Sequence, residues 1–235
     1  MLEILTFFDD KFFSLMKTAK NSLQNRKHHK SGHLTWKRVN GDGLKDVVIG
    51  AYGYNNYRGS AYVVLGSPTI GASLAMASLG STQGYTVTGG GTGEVLGAFV
   101  GGGKDFNGDG LSDVIIGGSG WSASQGSLYV LYGKQASSFS QVDVSLGLAA
   151  DQGLAIRGEQ AGDGFGGYAA MLEDVNLDGM NDLIVGAIES NGQRGSAYLL
   201  YVPCKWLLKL NFNVLNRGMS RKLFSVLQSD KLHDM

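Results

Sequence analysis

Two nine-residue segments concentrate chemistry that the rest of the chain lacks. Asp105-Phe-Asn107-Gly-Asp109-Gly110-Leu111-Ser-Asp113 and Asp174-Val-Asn176-Leu-Asp178-Gly179-Met180-Asn-Asp182 each hold three carboxylates and one amide at loop positions one, three, five and nine. Carboxylates this close repel one another, and a cation relieves the repulsion. A hard divalent cation needs several oxygens at about 2.3–2.6 Å, drawn from a tightly turned backbone. Those four side chains supply oxygens, and position seven, Leu111 or Met180, adds its backbone carbonyl. Gly110 and Gly179 at position six permit a turn that a Cβ would strain. Three carboxylates per loop favour calcium over magnesium, which keeps water and a rigid octahedron. The competing reading is a metal-free hairpin of Asx turns, and the carboxylate repulsion argues against it. An EF-hand is excluded, because position twelve is Ile116 or Val185 inside a β-branched run rather than a Glu leading into a helix.

A third copy begins at Arg38 and offers Asn40, Asp42, the Leu44 carbonyl and Asp46. Arginine at position one brings no oxygen and adds positive charge. This loop is expected to be a hairpin turn with weak or no calcium, with Arg38 paired to Asp42 or Asp46. The chain is thus expected to bind Ca2+ at two sites, with a degenerate third.

The loops sit in a repeat. Asp46, Asp113 and Asp182 are 67 and 69 residues apart, and each leads into an apolar run closed by Gly50, Gly117 or Gly186. Thirteen residues beyond each carboxylate comes Gly59-Ser-Ala-Tyr62, Gly126-Ser-Leu-Tyr129 or Gly195-Ser-Ala-Tyr198. Gly97 and Gly166 stand eight residues before the two complete loops, and Glu94 and Asp163 three residues earlier. The runs Val47-Val-Ile, Val114-Ile-Ile and Leu183-Ile-Val predict strands buried on both faces. The Gly-Ser segments predict a second strand, entered through a turn. Tyr85-Thr-Val-Thr and Leu154-Ala-Ile-Arg predict a third, and Ala98-Phe-Val and Tyr168-Ala-Ala-Met a fourth. Four short strands per repeat with glycine-rich turns imply a propeller blade.

The order Phe165-Gly166, then the Asp174–Asp182 loop, then Gly186-Ala187 resembles the FG-GAP repeat of integrin α-like β-propellers. The resemblance covers residues 38–202. It departs at Leu96-Gly97 in the second repeat, and the first repeat has no Phe-Gly. It implies an all-β fold, a partial β-propeller of about three four-stranded blades at 38–89, 90–158 and 159–202. It also implies an extracellular or cell-surface location and a calcium-binding module for protein binding or cell adhesion, not an enzyme. Alternatives are the non-catalytic propeller portion of a hydrolase resembling glycosylphosphatidylinositol-specific phospholipase D, or a non-functional gene fragment. FG-GAP propellers resemble the seven-bladed kind, so three blades imply missing blades or self-association to close the ring.

Composition divides the chain in three. Residues 1–37 hold seven Lys/Arg against three Asp/Glu, and residues 203–235 hold six against two. The middle keeps seven basic and fifteen acidic residues, with 35 of the 37 glycines and all ten tyrosines. So acidic a core excludes nucleic acid as a partner. Both non-repeat basic arms, 1–37 and 203–235, read as foreign to the fold, with a membrane-surface role for their amphipathic stretches as the rival reading. No segment approaches the roughly 20 apolar residues of a membrane span, and no signal peptide is visible. One cysteine, Cys204, excludes an internal disulfide framework. Glu94 and Asp163 are expected to cap turns, and Tyr62, Tyr129 and Tyr198 to pack between blades. The histidines His28, His29, His33 and His233 lack metal-ligand spacing, and no catalytic constellation is present. The partner is expected to be a protein ligand or surface.

Overall fold

The computed structural model describes residues 34–68, 74–135, 139–201, 207–211 and 220–221. The apolar stretch within residues 2–16, the basic tract that follows it as far as residue 33, and the four histidines lie outside them.

Strands dominate. The first repeat gives β1 (Leu34–Lys37), β2 (Asp46–Gly50), β3 (Ser60–Val64) and β4 (Gly84–Thr88). The second gives β5 (Phe99–Gly102), β6 (Val114–Gly118), β7 (Ser127–Leu131), β8 (Val142–Asp143) and β9 (Gly153–Arg157). The third gives β10 (Phe165–Met171), β11 (Leu183–Ala187), β12 (Ser196–Leu200), β13 (Leu207–Asn211) and β14 (Ser220–Arg221). They form three sheets, ordered β1-β2-β3-β4-β8, β5-β6-β7-β9 and β10-β11-β12-β13-β14. Every pairing is antiparallel except that of β8, which joins the edge of the first sheet parallel to β4. Arg58 reaches the same junction, where its Nη2 lies 2.9 Å from Asp143 Oδ2. Pairing runs past the expected limits of the repeat at both ends, because β1 pairs β2 and β13 pairs β12.

Alternation along each strand defines two faces. The front face of the first sheet holds Val47, Ile49, Tyr62 and Val64, and the back face holds Val48, Ala61 and Val63, as the β2–β3 register requires. One apolar cluster joins the back of the first sheet to Val114, Ile116, Tyr129 and Leu131 on the front of the second. A second cluster repeats this a step later, joining Ile115, Leu128 and Val130 to Leu183, Val185, Tyr198 and Leu200. Back packs on front at both interfaces. β2, β3, β6 and β7 are therefore buried at every position.

The two ends of the stack differ. Leu74, Met76 and Leu79, from the connection between β3 and β4, cover the front of the first sheet and complete a third cluster. On the back of the third sheet, Ile184, Ala197 and Leu199 are only half-buried, and β11 and β12 alternate between buried and half-buried positions.

Phe165 anchors the second interface. It is fully buried, and its ring meets Tyr198 edge-on with centroids 5.3 Å apart. The second repeat holds Leu96 here, equally buried. Phe165→Leu should therefore cost only about 1 kcal/mol, roughly the value of the lost aromatic pair. Urea denaturation measures it, and a cost of several kcal/mol would show that the ring fills a space leucine cannot.

Candidate metal centre

Each loop joins the first strand of its sheet to the second. In the second repeat, Asp105 folds the loop around its own carboxylate. Its Oδ1 accepts the N–H groups of Gly108 (2.6 Å) and Asp109 (3.0 Å), and its Oδ2 that of Gly110 (2.7 Å). Asp174 does the same in the third repeat, accepting from Asp178 at 3.0 Å and Gly179 at 2.7 Å. Gly110 and Gly179 take φ of 86° and 91°, which is the left-handed turn expected at position six. Desolvation pushes the Asp174 carboxyl upward, but the surrounding backbone N–H groups outweigh it and hold the group below the usual carboxylate range.

Position five shows the same recurrence. Asp109 Oδ1 accepts Leu111 N–H at 2.8 Å, and Asp178 Oδ1 accepts Met180 N–H at 3.0 Å. The other oxygen of each takes an amide proton from position three, Asn107 Nδ2 at 2.9 Å or Asn176 Nδ2 at 2.8 Å. Asn107 and Asn176 turn their own oxygens onto the position-five N–H.

Position nine behaves differently. Asp46, Asp113 and Asp182 are fully buried. Asp113 Oδ2 accepts Phe106 N–H at 2.6 Å, and its Oδ1 accepts Gly133 N–H at 2.7 Å, tying the loop to the chain just beyond β7. Asp46 makes the equivalent bonds from Val39 at 2.5 Å and Gly66 at 2.9 Å. Asp182 Oδ2 accepts Val175 N–H at 2.8 Å. Burial, with smaller contributions from the charges of Asp109 and Asp105, pushes the Asp113 carboxyl up to about 6 against these two N–H bonds. Burial also raises Asp46. Both oxygens of Asp46 and Asp113 are thus engaged by backbone, a clamp that the sequence reading did not assign. A signal for it was present, since Gly66 and Gly133 each stand twenty residues after the carboxylate.

In the first loop, Asn40 and Leu44 bond to Asp42, and Val39 and Gly66 to Asp46. The expected pairing of Arg38 with Asp42 or Asp46 is not formed. Arg38 is exposed and joins none of the ion pairs among the described residues, because backbone and amide donors already occupy both carboxylates.

Among the described residues, no three His, Cys, Asp or Glu side chains converge on one point. In donor type, however, the two complete loops fit a hard cation. Every candidate ligand atom of Asp105, Asn107, Asp109, Leu111 and Asp113, and of Asp174, Asn176, Asp178, Met180 and Asp182, is an oxygen. The outer oxygens of Asp109 and Asp178 are held only by a neighbouring amide that can rotate away.

Neighbouring loops are also connected. Ser112 N–H donates to Arg38 O at 3.2 Å, and one repeat later Asn181 Nδ2 donates to Asp105 O at 2.6 Å. Position eight of one loop thus binds position one of the loop before it. Lys104 Nζ reaches Glu173 Oε1 at 2.7 Å across the same gap.

Glu94 and Asp163 cap turns, as their positions suggested. Glu94 accepts the N–H groups of Gly90 and Gly91, and Asp163 that of Gln160 at 3.2 Å. Glu94 also accepts the Tyr129 hydroxyl proton at 2.6 Å, while that hydroxyl accepts from Arg157 at 2.6 Å. Burial and then the Glu94 charge push the Tyr129 hydroxyl well above its ordinary value.

Leu177 stands at position four of the third loop, where the others have Gly41 and Gly108, and it is left-handed at φ 62°. A leucine there is strained. Leu177→Gly should raise stability by about 1 kcal/mol, readable as an upward shift in denaturant midpoint. A lower midpoint would mean that this side chain makes a stabilising contact.

Two comparisons bear on identity. The FG-GAP repeat family model matches residues 96–131, from the apolar-Gly pair through the complete second loop to the end of β7. Phosphatidylinositol-glycan-specific phospholipase D of Rattus norvegicus is 30% identical over 178 residues, covering 69% of this chain. The chain spans 19% of that relative's length. With its matched repeat in the second of three propeller-like sheets, the chain is an FG-GAP repeat protein.

Proposed function

We propose that the chain is a calcium-binding FG-GAP β-propeller module, built from about three blades, that binds protein partners in an extracellular or cell-surface setting. The observation that carries this reading is the recurrence of one loop design, Asp105–Asp113 and Asp174–Asp182, each turned by hydrogen bonds to its own backbone. A loop already turned loses little further conformational freedom on binding. Calcium would sit within single hairpins as a clamp rather than in an open catalytic site, with affinity on the order of 0.1–1 mM as in extracellular modules. The basic Arg38 keeps the first loop, with Asn40, Asp42, Leu44 and Asp46, weak or empty.

Calorimetric titration with calcium tests this. Two sites per chain are expected for the wild type and one each for Asp109→Ala and Asp178→Ala. Heat unchanged by either substitution would remove the assignment.

A second reading is favoured by the relative found. The module would be the non-catalytic propeller part of an enzyme resembling phosphatidylinositol-glycan-specific phospholipase D. The alignment takes in 69% of this chain, and function lives in sites rather than folds. Addition of the purified chain to a phospholipase D of that kind, with a change in its rate or membrane recruitment, would favour this reading over adhesion.

A further inference from the structure

The exchange of Asp for Arg at position one of the first loop exposes a neighbour with chemistry of its own. Asn40-Gly41 and Asn107-Gly108 stand at positions three and four of equivalent loops. Both asparagines hold position five alike. Asn40 Nδ2 donates to Asp42 Oδ2 and Asn107 Nδ2 to Asp109 Oδ2, each at 2.9 Å. Each Oδ1 accepts the position-five N–H, at 3.3 Å and 3.2 Å. Gly41 and Gly108 are both exposed and share a left-handed backbone, with φ of 73° and 83°. Their N–H groups differ. Gly108 donates to Asp105 Oδ1 at 2.6 Å, and Asp105 also takes the N–H groups of Asp109 and Gly110. Arg38 offers no acceptor side chain, and among the described residues the Gly41 N–H has no hydrogen-bond acceptor. The third loop has Leu177 at position four, and the chain's other Asn-Gly, Asn191-Gly192, lies outside the loops.

From this we infer that Asn40 is a site of spontaneous deamidation in the folded chain, and that Asp105 protects Asn107 from the same reaction. The Gly41 nitrogen gives its proton to water or hydroxide and attacks Cγ of Asn40. The bond from Cγ to the side-chain nitrogen breaks, and that nitrogen takes up a proton and leaves as ammonia. Water then opens the succinimide ring at one carbonyl or the other, giving aspartate or isoaspartate. The net change is NH2 for OH, with no oxidant or reductant. Glycine admits the attack because it sets no Cβ beside the nitrogen. A carboxylate held against an N–H opposes ionisation of that nitrogen, because like charges repel. It also keeps the N–H aimed at itself and away from the asparagine. Asp105 imposes both restraints on Gly108, and Arg38 imposes neither on Gly41. The backbone course is not the cause, since the next loop ties position one in both cases, Ser112 N–H to Arg38 O and Asn181 Nδ2 to Asp105 O. Aspartate at Asn40 would give the first loop three carboxylates with Asp42 and Asp46, as many as each complete loop holds. Isoaspartate would add a carbon to its backbone. The inference concerns the cation-free chain and does not depend on the calcium reading.

The full chain, incubated in chelator at neutral pH, is followed by peptide mapping and mass spectrometry, with the two isomers separated by chromatography. Asn40 is expected to deamidate about tenfold faster than Asn107, the rate factor set by one hydrogen bond to a charged group. In urea, where the loops are lost, the two Asn-Gly pairs should react at similar rates. Arg38→Asp, at an exposed side chain, should slow Asn40 to the rate of Asn107. Asp105→Ala should speed Asn107 to the rate of Asn40. Melting curves establish that each variant is folded at the incubation temperature, and Arg38→Asp alone decides the matter if Asp105→Ala unfolds. Equal rates in the folded chain would overturn the inference, as would a difference that persists in urea or one that Arg38→Asp leaves unaltered. Because the readout is a change of mass in the absence of metal, its failure leaves the calorimetric calcium test standing.

Discussion

Calcium at about 10 mM is expected to raise the melting temperature on the order of 10 °C above its value in chelator. A site with Kd of roughly 0.1–1 mM gains about 1.4–2.7 kcal/mol at this concentration, by mass action on the folded state alone. Two such sites give about 3–5 kcal/mol, and a protein of this size shifts by about 2–4 °C per kcal/mol. Asp109→Ala and Asp178→Ala should each remove about half of the gain. Both side chains are exposed and lie within their own loops, so the chelator-treated variants should melt close to the wild type. Asp42→Ala in the first loop should leave the calcium gain intact. Scanning calorimetry in calcium and in chelator reads all four proteins. Equal melting of the wild type in both buffers would end the metal reading.

Gly117→Ala is expected to destabilise by about 3 kcal/mol or more, at the upper end of what overpacking costs. The new Cβ would meet a backbone carbonyl, that of Gly166, rather than a side chain able to change rotamer. Relief requires the second and third sheets to separate, which opens the cluster of Ile115, Leu128, Val130, Leu183 and Tyr198. Among the described residues, the same substitution at Gly186 meets nothing closer than 3.5 Å and should be near neutral. Chemical denaturation of the two variants side by side makes the comparison, and similar losses at both positions would show that intrinsic strand preference, not the contact, sets the cost.

The central strands could be read in the sequence because burial on both faces leaves no room for polar residues. Val47-Val-Ile, Val114-Ile-Ile and Leu183-Ile-Val announce their environment directly. The turn glycines were legible for a similar reason, since the left-handed turns at Gly110 and Gly179 exclude most other residues. The cap made by Leu74, Met76 and Leu79 was not legible, because so short a turn carries no period; the connection between β7 and β9 holds a similar turn, Val144–Leu146, whose Val144 packs into the first interface. Nor was the parallel addition of β8, which depends on a chance of position rather than a pattern. β1 and β13 lie in stretches whose composition departs from the repeat, and backbone pairing places few demands on composition. At the loops, spacing exposed the candidate ligands. It did not reveal that Asp46 and Asp113 serve the backbone, because a carboxylate that binds an N–H and one that binds a cation look alike in sequence. The bond from Asn181 to Asp105 was hidden for another reason, since it joins residues 76 positions apart.

The cover on the front of the first sheet has a consequence for that end of the stack. Leu74, Met76 and Leu79 fill the side on which the second and third sheets each receive a neighbour's back face. A layer arriving there must first dislodge them. The connection between β3 and β4 therefore acts as a stop at the near end.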